Sequence, residues 1–375
     1  MTNYANFYWN GNNELRSKLK PICCKSCSDN GLCVGDCKKC LENQAYNREW
    51  LETHTFIYDT QYRCYHYDGH NDIKQLPLRL PKEGNYLYYG MEIEVEFDTE
   101  SVYIYSPSDD DYDDPDDNWK IQSIIDKASE IMDGMFVVEA DGSLSNGVEF
   151  IFRPMTYGYL THKDTVAKFK KFFEYLRSEG AYFDQPDRNG MHIHLSRKFF
   201  DYGRTKLDNR SEAYESFDWL FQKFQPEFEI LGGRKYTGYC ESKASKLEKS
   251  LKDNYYARNY NADIEVKATL KKGGNVPQGD HYSAVNLGMN TIEARIFKST
   301  TDYKQMYANI ELVRNLAHAV RDGDIKKPLN ELLHTKDNLF LDEHISRARL
   351  QSAKRGNKLD LEKVNDNTIE VVVKQ

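Results

Sequence analysis

The chain has 375 residues, 39% hydrophobic and 13% aromatic, with a formal net charge of −8 from 59 acidic against 51 basic side chains. That length and apolar content exclude a wholly disordered chain and allow a sizeable core, in two domains or in one large domain with appendages. No apolar run reaches the ~18 residues of a membrane helix, and Met1-Thr2-Asn3-Tyr4-Ala5-Asn6 lacks the basic-then-apolar order of a secretory signal, so a cytoplasmic location is expected.

Residues 1–84 show little periodicity and hold six of the eight cysteines within eighteen positions: Cys23, Cys24, Cys27, Cys33, Cys37 and Cys40. In a chain without a signal, such a cluster reads as a reduced metal site before a disulfide framework. Cys24-x2-Cys27 and Cys37-x2-Cys40 form two knuckle-like pairs, and four thiolates so arranged make a tetrahedral structural zinc site. Cys23 and Cys33 stay unassigned, and Cys64, His66 and His70 offer ligands for a second ion or a different pairing. The module would brace the fold or recruit a protein partner. Its 11 basic against 10 acidic residues form no dense basic stripe, which disfavours nucleic acid. The prolines of Leu76-Pro77-Leu78-Arg79-Leu80-Pro81 mark an extended connector.

From about Tyr86 to Asp322 the pattern is that of an α+β domain. Met91 to Phe97 alternates apolar and acidic residues with period two, as a strand with one buried face does. Between Ser108 and Asn118 lie seven aspartates and no base, so nearly all the net charge sits in one self-repelling, solvated segment. Further strands are predicted at Met135–Glu139, Val148–Phe152, Met191–Leu195, His281–Leu287 and Thr291–Phe297. Helices are predicted at about 159–178, where Phe169, Phe172, Phe173 and Leu176 recur at helical spacing, at 212–230 and at 303–321. Short turns such as 288–290 make antiparallel pairing dominant. Beyond residue 323 the chain reads as a mixed-charge tail with a helix-compatible stretch near 340–355 and a β-prone end. Residues 98–134 and 236–280, which show no clear pattern, are where pocket specificity is expected. His54, His162, His318 and Cys240 read as structural or surface residues.

Four short segments hold residues suited to chemistry. Glu92, Glu94 and Glu96 share one face of a strand, which fits either a solvated surface or a site for a hard cation such as magnesium. In Asn189-Gly190-Met191-His192-Ile193-His194-Leu195-Ser196, both histidines take the face opposite Met191 and Ile193, as ligands, phosphate contacts or merely exposed side chains. Thr291-Ile292-Glu293-Ala294-Arg295-Ile296-Phe297 sets Glu293 beside Arg295, which alone would fit a cross-strand ion pair. Asp141-Gly142-Ser143-Leu144 is a tight turn leading into a strand that bears Glu149 and Arg153 on one face.

In this order, Gly-x-Glu-x-Glu, Asp-Gly-Ser-Leu with Gly-x-Glu-Phe, Gly-Met-His-x-His-x-Ser and Thr-Ile-Glu-x-Arg-x-Phe resemble the amidoligase family, a branch of the glutamine synthetase-like carboxylate-amine ligases. The resemblance covers residues 86–322 and extends to Leu231-Gly232-Gly233-Arg234 with Tyr239-Cys240. It implies a curved, mainly antiparallel, glutamine synthetase-like sheet with packed helices, here preceded by the Cys-rich module. The implied organisation is 1–84 zinc-binding module, 85–322 catalytic domain and 323–375 C-terminal tail.

Carried over residue by residue, Glu92 and Glu94 bind two magnesium ions, with Glu149, His192 and Glu293 completing their shells. Arg295 holds the nucleotide phosphates, Arg234 the phosphate or acyl-phosphate, and Asp141 and His194 contact nucleotide or substrate. Glu96 has no family role. The implied activity is ATP-dependent joining of a carboxylate to an amine, in a peptide or protein among other substrates, by a protein of phage or bacterial kind. Consistently, the sequence has no nucleophile elbow, no Walker phosphate loop and no dinucleotide-binding fingerprint. Two competing readings are a catalytically silent assembly protein that binds its partner through the zinc module, and a guanidino phosphotransferase within the same superfamily.

Overall fold

The structure is a computed structural model that describes residues 87–99, 119–133, 135–139, 141, 143–182, 189–201, 208–256, 266–271, 282–287, 291–366 and 368–373. The zinc ligands expected at Cys24, Cys27, Cys37 and Cys40, the other cysteines and histidines of residues 1–84, and the aspartate run lie outside the described residues.

The predicted acidic strand is β1 (Tyr88–Phe97). It is buried along its whole length, the carboxylates included, so the solvated-surface reading of that face is corrected. β1 pairs on one side with β3 (Gly147–Thr156), and on the other with β5 (Gly190–Ser196) and the short β4 (Ala181–Tyr182). β2 (Phe136–Glu139) flanks β3, while β8 (Thr291–Lys298) and β7 (Val285–Leu287) extend the sheet beyond β5, giving the order β2-β3-β1-β5-β8-β7. Every one of these pairs is antiparallel. β3 outruns the predicted Val148–Phe152, and β7 is shorter than the predicted His281–Leu287.

Register sorts the side chains into two faces. Ile93 lies opposite Phe150 and Glu94 opposite Glu149, so apolar and acidic residues separate cleanly. Helices cover the apolar face. α1 (Trp119–Ile131) is followed by α2 (Tyr157–Leu160) and α3 (Lys163–Ser178), which divide the single helix predicted at 159–178. The break falls at Thr161 and His162, where extended His162 caps α3 by accepting from the Asp164 amide. Phe169, Phe172, Phe173 and Leu176 are fully buried on the inner side of α3, and Phe172 packs edge-on against Phe150 at 5.3 Å.

After α4 (Lys198–Asp201), the helix predicted at 212–230 is also two, α5 (Asp208–Lys223) and α6 (Gln225–Gly232). Pro226 lacks an amide hydrogen and begins the second helix rather than continuing the first. α8 (Tyr303–Asp322) matches its prediction and closes on Gly323 in the left-handed region, at φ 84°. The stretches without a clear pattern hold α1, the 3₁₀ turn Gly238–Cys240, α7 (Lys243–Tyr256) and β6 (Val266–Lys271). β6 pairs with β9 (Thr368–Val373) in a separate two-stranded sheet. Cys240 is buried, which pushes its thiol up to about 12. No described helix is long and apolar enough to cross a membrane.

The last helices dock through one buried acid. Beyond α9 (Leu329–Leu333), α10 (Leu341–Lys354) starts at Phe340, whose side chain gives no cap. Fully buried Glu311 of α8 replaces it, accepting from the amides of Leu339, Phe340 and Leu341 at 2.9, 3.0 and 2.7 Å and from the Tyr157 hydroxyl at 2.8 Å. Glu311→Ala orphans these donors and is expected to lower the unfolding free energy by about 3 kcal/mol. Urea titration measures it; a shift under about 1 kcal/mol would show that the cap contributes only a single ordinary hydrogen bond.

Candidate metal and phosphate site on the acidic face of the sheet

The pairing register that buries the apolar face also aligns the polar one across four strands. Glu92 lies opposite His192, Glu94 opposite Glu149, and His194 opposite Glu293. The side chains converge accordingly. His192 Nδ1 is 3.0 Å from Glu92 Oε2 and 3.5 Å from Glu293 Oε1, while its Nε2 is 3.4 Å from Glu94 Oε1. His194 Nε2 is 3.0 Å from Glu92 Oε1 and 3.9 Å from Glu293 Oε1. Arg295 Nη1 donates to Glu293 Oε1 at 2.5 Å.

Three overlapping donor sets result: Glu92 with His194 and Glu293, Glu92 with Glu149 and His192, and Glu94 with Asp141 and Glu149. Within each set the donor atoms lie inside 4.8 Å of one another. Asp141 and His194, expected as nucleotide or substrate contacts, thus fall among the cation-donor sets. Glu96, for which no role was expected, belongs to none of them. It is fully buried and accepts from the Ser145 amide at 3.0 Å, which ties the Asp141–Ser145 turn to the end of β1. Gly147 lets the turn approach, since a Cβ there would meet Val95 O at 2.4 Å.

Arg234 reaches this face from the far side of β8. Following α6, it is buried and donates from Nη1 to Arg295 O at 3.2 Å. It fits because residue 190 is glycine: a Cβ there would stand 2.2 Å from Arg234 Nη1 and 2.8 Å from His192 Nε2. The Gly190 amide donates to Glu94 Oε2. The structure brings together the magnesium candidates named from the sequence, and three supports were not among them: Ser299 Oγ donates to Glu94 O at 2.6 Å, Asn286 Nδ2 to Glu293 Oε2 at 3.0 Å, and Thr291 Oγ1 meets His194 Nδ1 at 3.3 Å. Their common signal is adjacency to a motif strand, which is too general to single out one residue.

Electrostatics follow from burying these groups together. Burial, reinforced by Asp141, pushes the Glu94 carboxyl up to about 8 against the Gly190 amide and the Arg234 and Arg295 charges. Burial and the Arg295 charge bring His192 down to about 4, leaving a neutral imidazole with a lone pair to offer. For Glu293, burial pushes upward, but the His194 and Arg295 charges hold its carboxyl below the usual range. Burial works against the charge of Arg295, and Glu293 and Glu92 hold its pKa above the ordinary value. Four buried carboxylates thus face two guanidinium groups, and His192 Nε2 is buried without a hydrogen bond. Oxygen donors outnumber imidazole nitrogens, no thiolate takes part, and the shortage is of positive charge. That donor set fits magnesium or manganese.

Residues 134–317 match the model of a family described as "Putative amidoligase enzyme". This stretch, just under half of the chain, is similar to the amidoligase family. The amidoligase match runs from just before β2 into α8 and holds Asp141, Glu149, His192, His194, Arg234, Glu293 and Arg295. Glu92 and Glu94 precede it and join the site through strand pairing alone. No curated protein sequence matches the chain. Among solved structures it is similar to a glutamine synthase homolog, with 15% identity, a TM-score of 0.33 and 72% of this chain aligned to 62% of that one. It is also similar to a bifunctional glutathione synthetase from Pasteurella multocida, with 11% identity, a TM-score of 0.34 and 74% of this chain aligned to 50% of that one. The chain therefore spans between half and just under two thirds of the length of these two structures.

Gly190→Ala is expected to displace Arg234 and His192 while leaving the sheet intact. Magnesium affinity measured by calorimetry should fall at least about tenfold with unchanged far-ultraviolet circular dichroism. Unaltered binding would show that the close approach at Gly190 is dispensable.

Proposed function

We propose that the chain is an ATP- and magnesium-dependent carboxylate-amine ligase that forms an amide or isopeptide bond through an acyl-phosphate. The observation that supports this most is the single register that gathers three cation-donor sets beside two buried arginines, with no activated nucleophile among the described residues.

In this reading Glu92, Glu94, Glu149, His192 and Glu293 hold magnesium, joined by Asp141 and His194, which complete the donor sets. Bound magnesium would supply the positive charge that draws the ATP phosphates to this face. Arg295, kept oriented by Glu293, binds the nucleotide phosphates. Arg234 holds the phosphoryl group as it passes to the substrate. The substrate carboxylate attacks the γ-phosphorus and ADP leaves; the amine then attacks the acyl carbon and inorganic phosphate leaves. Both steps need only positioning and charge stabilisation by the protein, which fixed guanidinium groups on a rigid sheet deliver. Neutral His192 serves as a ligand and orienter, because Glu92 engages its Nδ1.

The same reading divides the chain into a zinc module at 1–84, with Cys24, Cys27, Cys37 and Cys40 as ligands, a catalytic domain at 85–322 and a tail at 323–375. The module would bring in a protein partner or a peptide substrate.

ADP release should depend on both a carboxylate and an amine acceptor, with the amide product seen by mass spectrometry. Glu92→Gln and Glu293→Gln should each lower turnover at least about 100-fold; wild-type turnover in either variant would overturn the site. Chelation with EDTA should abolish ADP release and added magnesium restore it. Failure of a non-hydrolysable ATP analogue to bind in the presence of magnesium would instead favour a non-catalytic assembly protein.

A further inference from the structure

A half-open cavity of about 430 Å³ is lined by none of the cation donors of the acidic face. Its walls are the C-terminal ends of α3, α6 and β8, the strand β4, the first turn of α8 and one side of α10. This volume lies within the range of about 300–1,000 Å³ usual for small-molecule sites and far exceeds what a single ion needs.

Its charge is one-sided. Arg177, Lys298 and Arg347 line it from three different elements, and no carboxylate does so among the described residues. Arg177 uses one of its donors on Thr301 O at 2.7 Å and keeps the others. Arg347 stands 3.8 Å from Asp302 and 4.0 Å from Glu343, at the outer limit of ion pairing. Lys298 has no ion pair among the described residues. Of the carbonyls at the end of α6, which would repel an anion, Leu231 O already accepts from His344 at 2.8 Å. A concave site with three cations on separate walls disfavours an amine and favours a ligand with more than one anionic group.

We propose that this pocket binds a small organic or inorganic dianion, carboxylate or phosphate in chemistry, at a site distinct from the magnesium face. The assignment does not depend on the ligase reading, since none of the residues given a role in that reading lines the pocket.

Calorimetry on the full chain in magnesium-free buffer, with succinate and inorganic phosphate as separate probes, tests it. At least one probe should bind with Kd below about 1 mM, and which one does so tells a carboxylate ligand from a phosphorylated one. The double variant Lys298→Gln with Arg347→Gln should weaken binding at least about tenfold, a loss of about 1.4 kcal/mol. Lys298→Arg should retain it, and Arg295→Gln, outside the pocket lining, should leave it unchanged. The proposal is overturned if neither probe binds, if the double variant binds like the wild type, or if Arg295→Gln abolishes binding, which would place the anion at the acidic face.

Discussion

Like-charged carboxylates buried on one sheet face are the constraint around which the rest of the molecule is arranged. Glu92, Glu94, Glu149 and Glu293 sit within reach of one another in a region that excludes water, where an unpaired charge is costly. Two responses appear in the structure. Glu94 takes up its proton more readily, with its carboxyl pushed up to about 8, and Arg234 and Arg295 are drawn in from neighbouring segments. Neither balances the face fully, and the remaining deficit of positive charge is what suits the site to a divalent cation and to phosphates bridged by it.

Such a face needs a rigid frame, because repelling groups move apart wherever the backbone yields. The opposite face provides that rigidity. Ile93 and Val95 of β1 and Phe150 of β3 are fully buried beneath α3, whose Phe172 meets Phe136, Phe150 and Phe152 in edge-to-face or tilted contacts. Glu311 extends the frame to α10, where one buried acid meets three amides and a hydroxyl. Glu311 and the acids of the cation face are all buried, yet they differ in partners: Glu311 has a donor for each oxygen, whereas the acidic face has more acceptors than donors. The first arrangement stabilises a fold and the second suits ligand binding.

Much of this was legible in the sequence. Period-two alternation from Met91 to Phe97 and from Met191 to Leu195 identified both strands and the faces of their ionisable residues, because alternation is a local property of extended backbone. Helix spacing located α3 and α8 for the same reason. The breaks at His162 and Phe224 were hidden, since apolar spacing continues through them and only capping and the missing amide of Pro226 decide the interruption. Helix α1 was not read although Ile121, Ile124, Ile125 and Ala128 recur at helical spacing and are buried, whereas α7 carries few apolar residues to mark it. The burial of Glu92, Glu94 and Glu96 ran against the ordinary expectation for a strand of alternating acids.

By itself, the sequence determined which residue types occupy the site, on which face of each strand, and in which order along the chain. Local backbone geometry sets these properties. Tertiary structure alone decided that Glu94 would meet Glu149, that His194 would meet Glu293, and that Arg234 would cross to lie against Gly190. Strand register and long-range approach depend on the packing of the whole sheet, and a shift of one residue would have turned every ligand to the other face. The cation-lined pocket belongs to the second kind: Arg177, Lys298 and Arg347 share no motif and meet only because α3 and β8 end beside one face of α10.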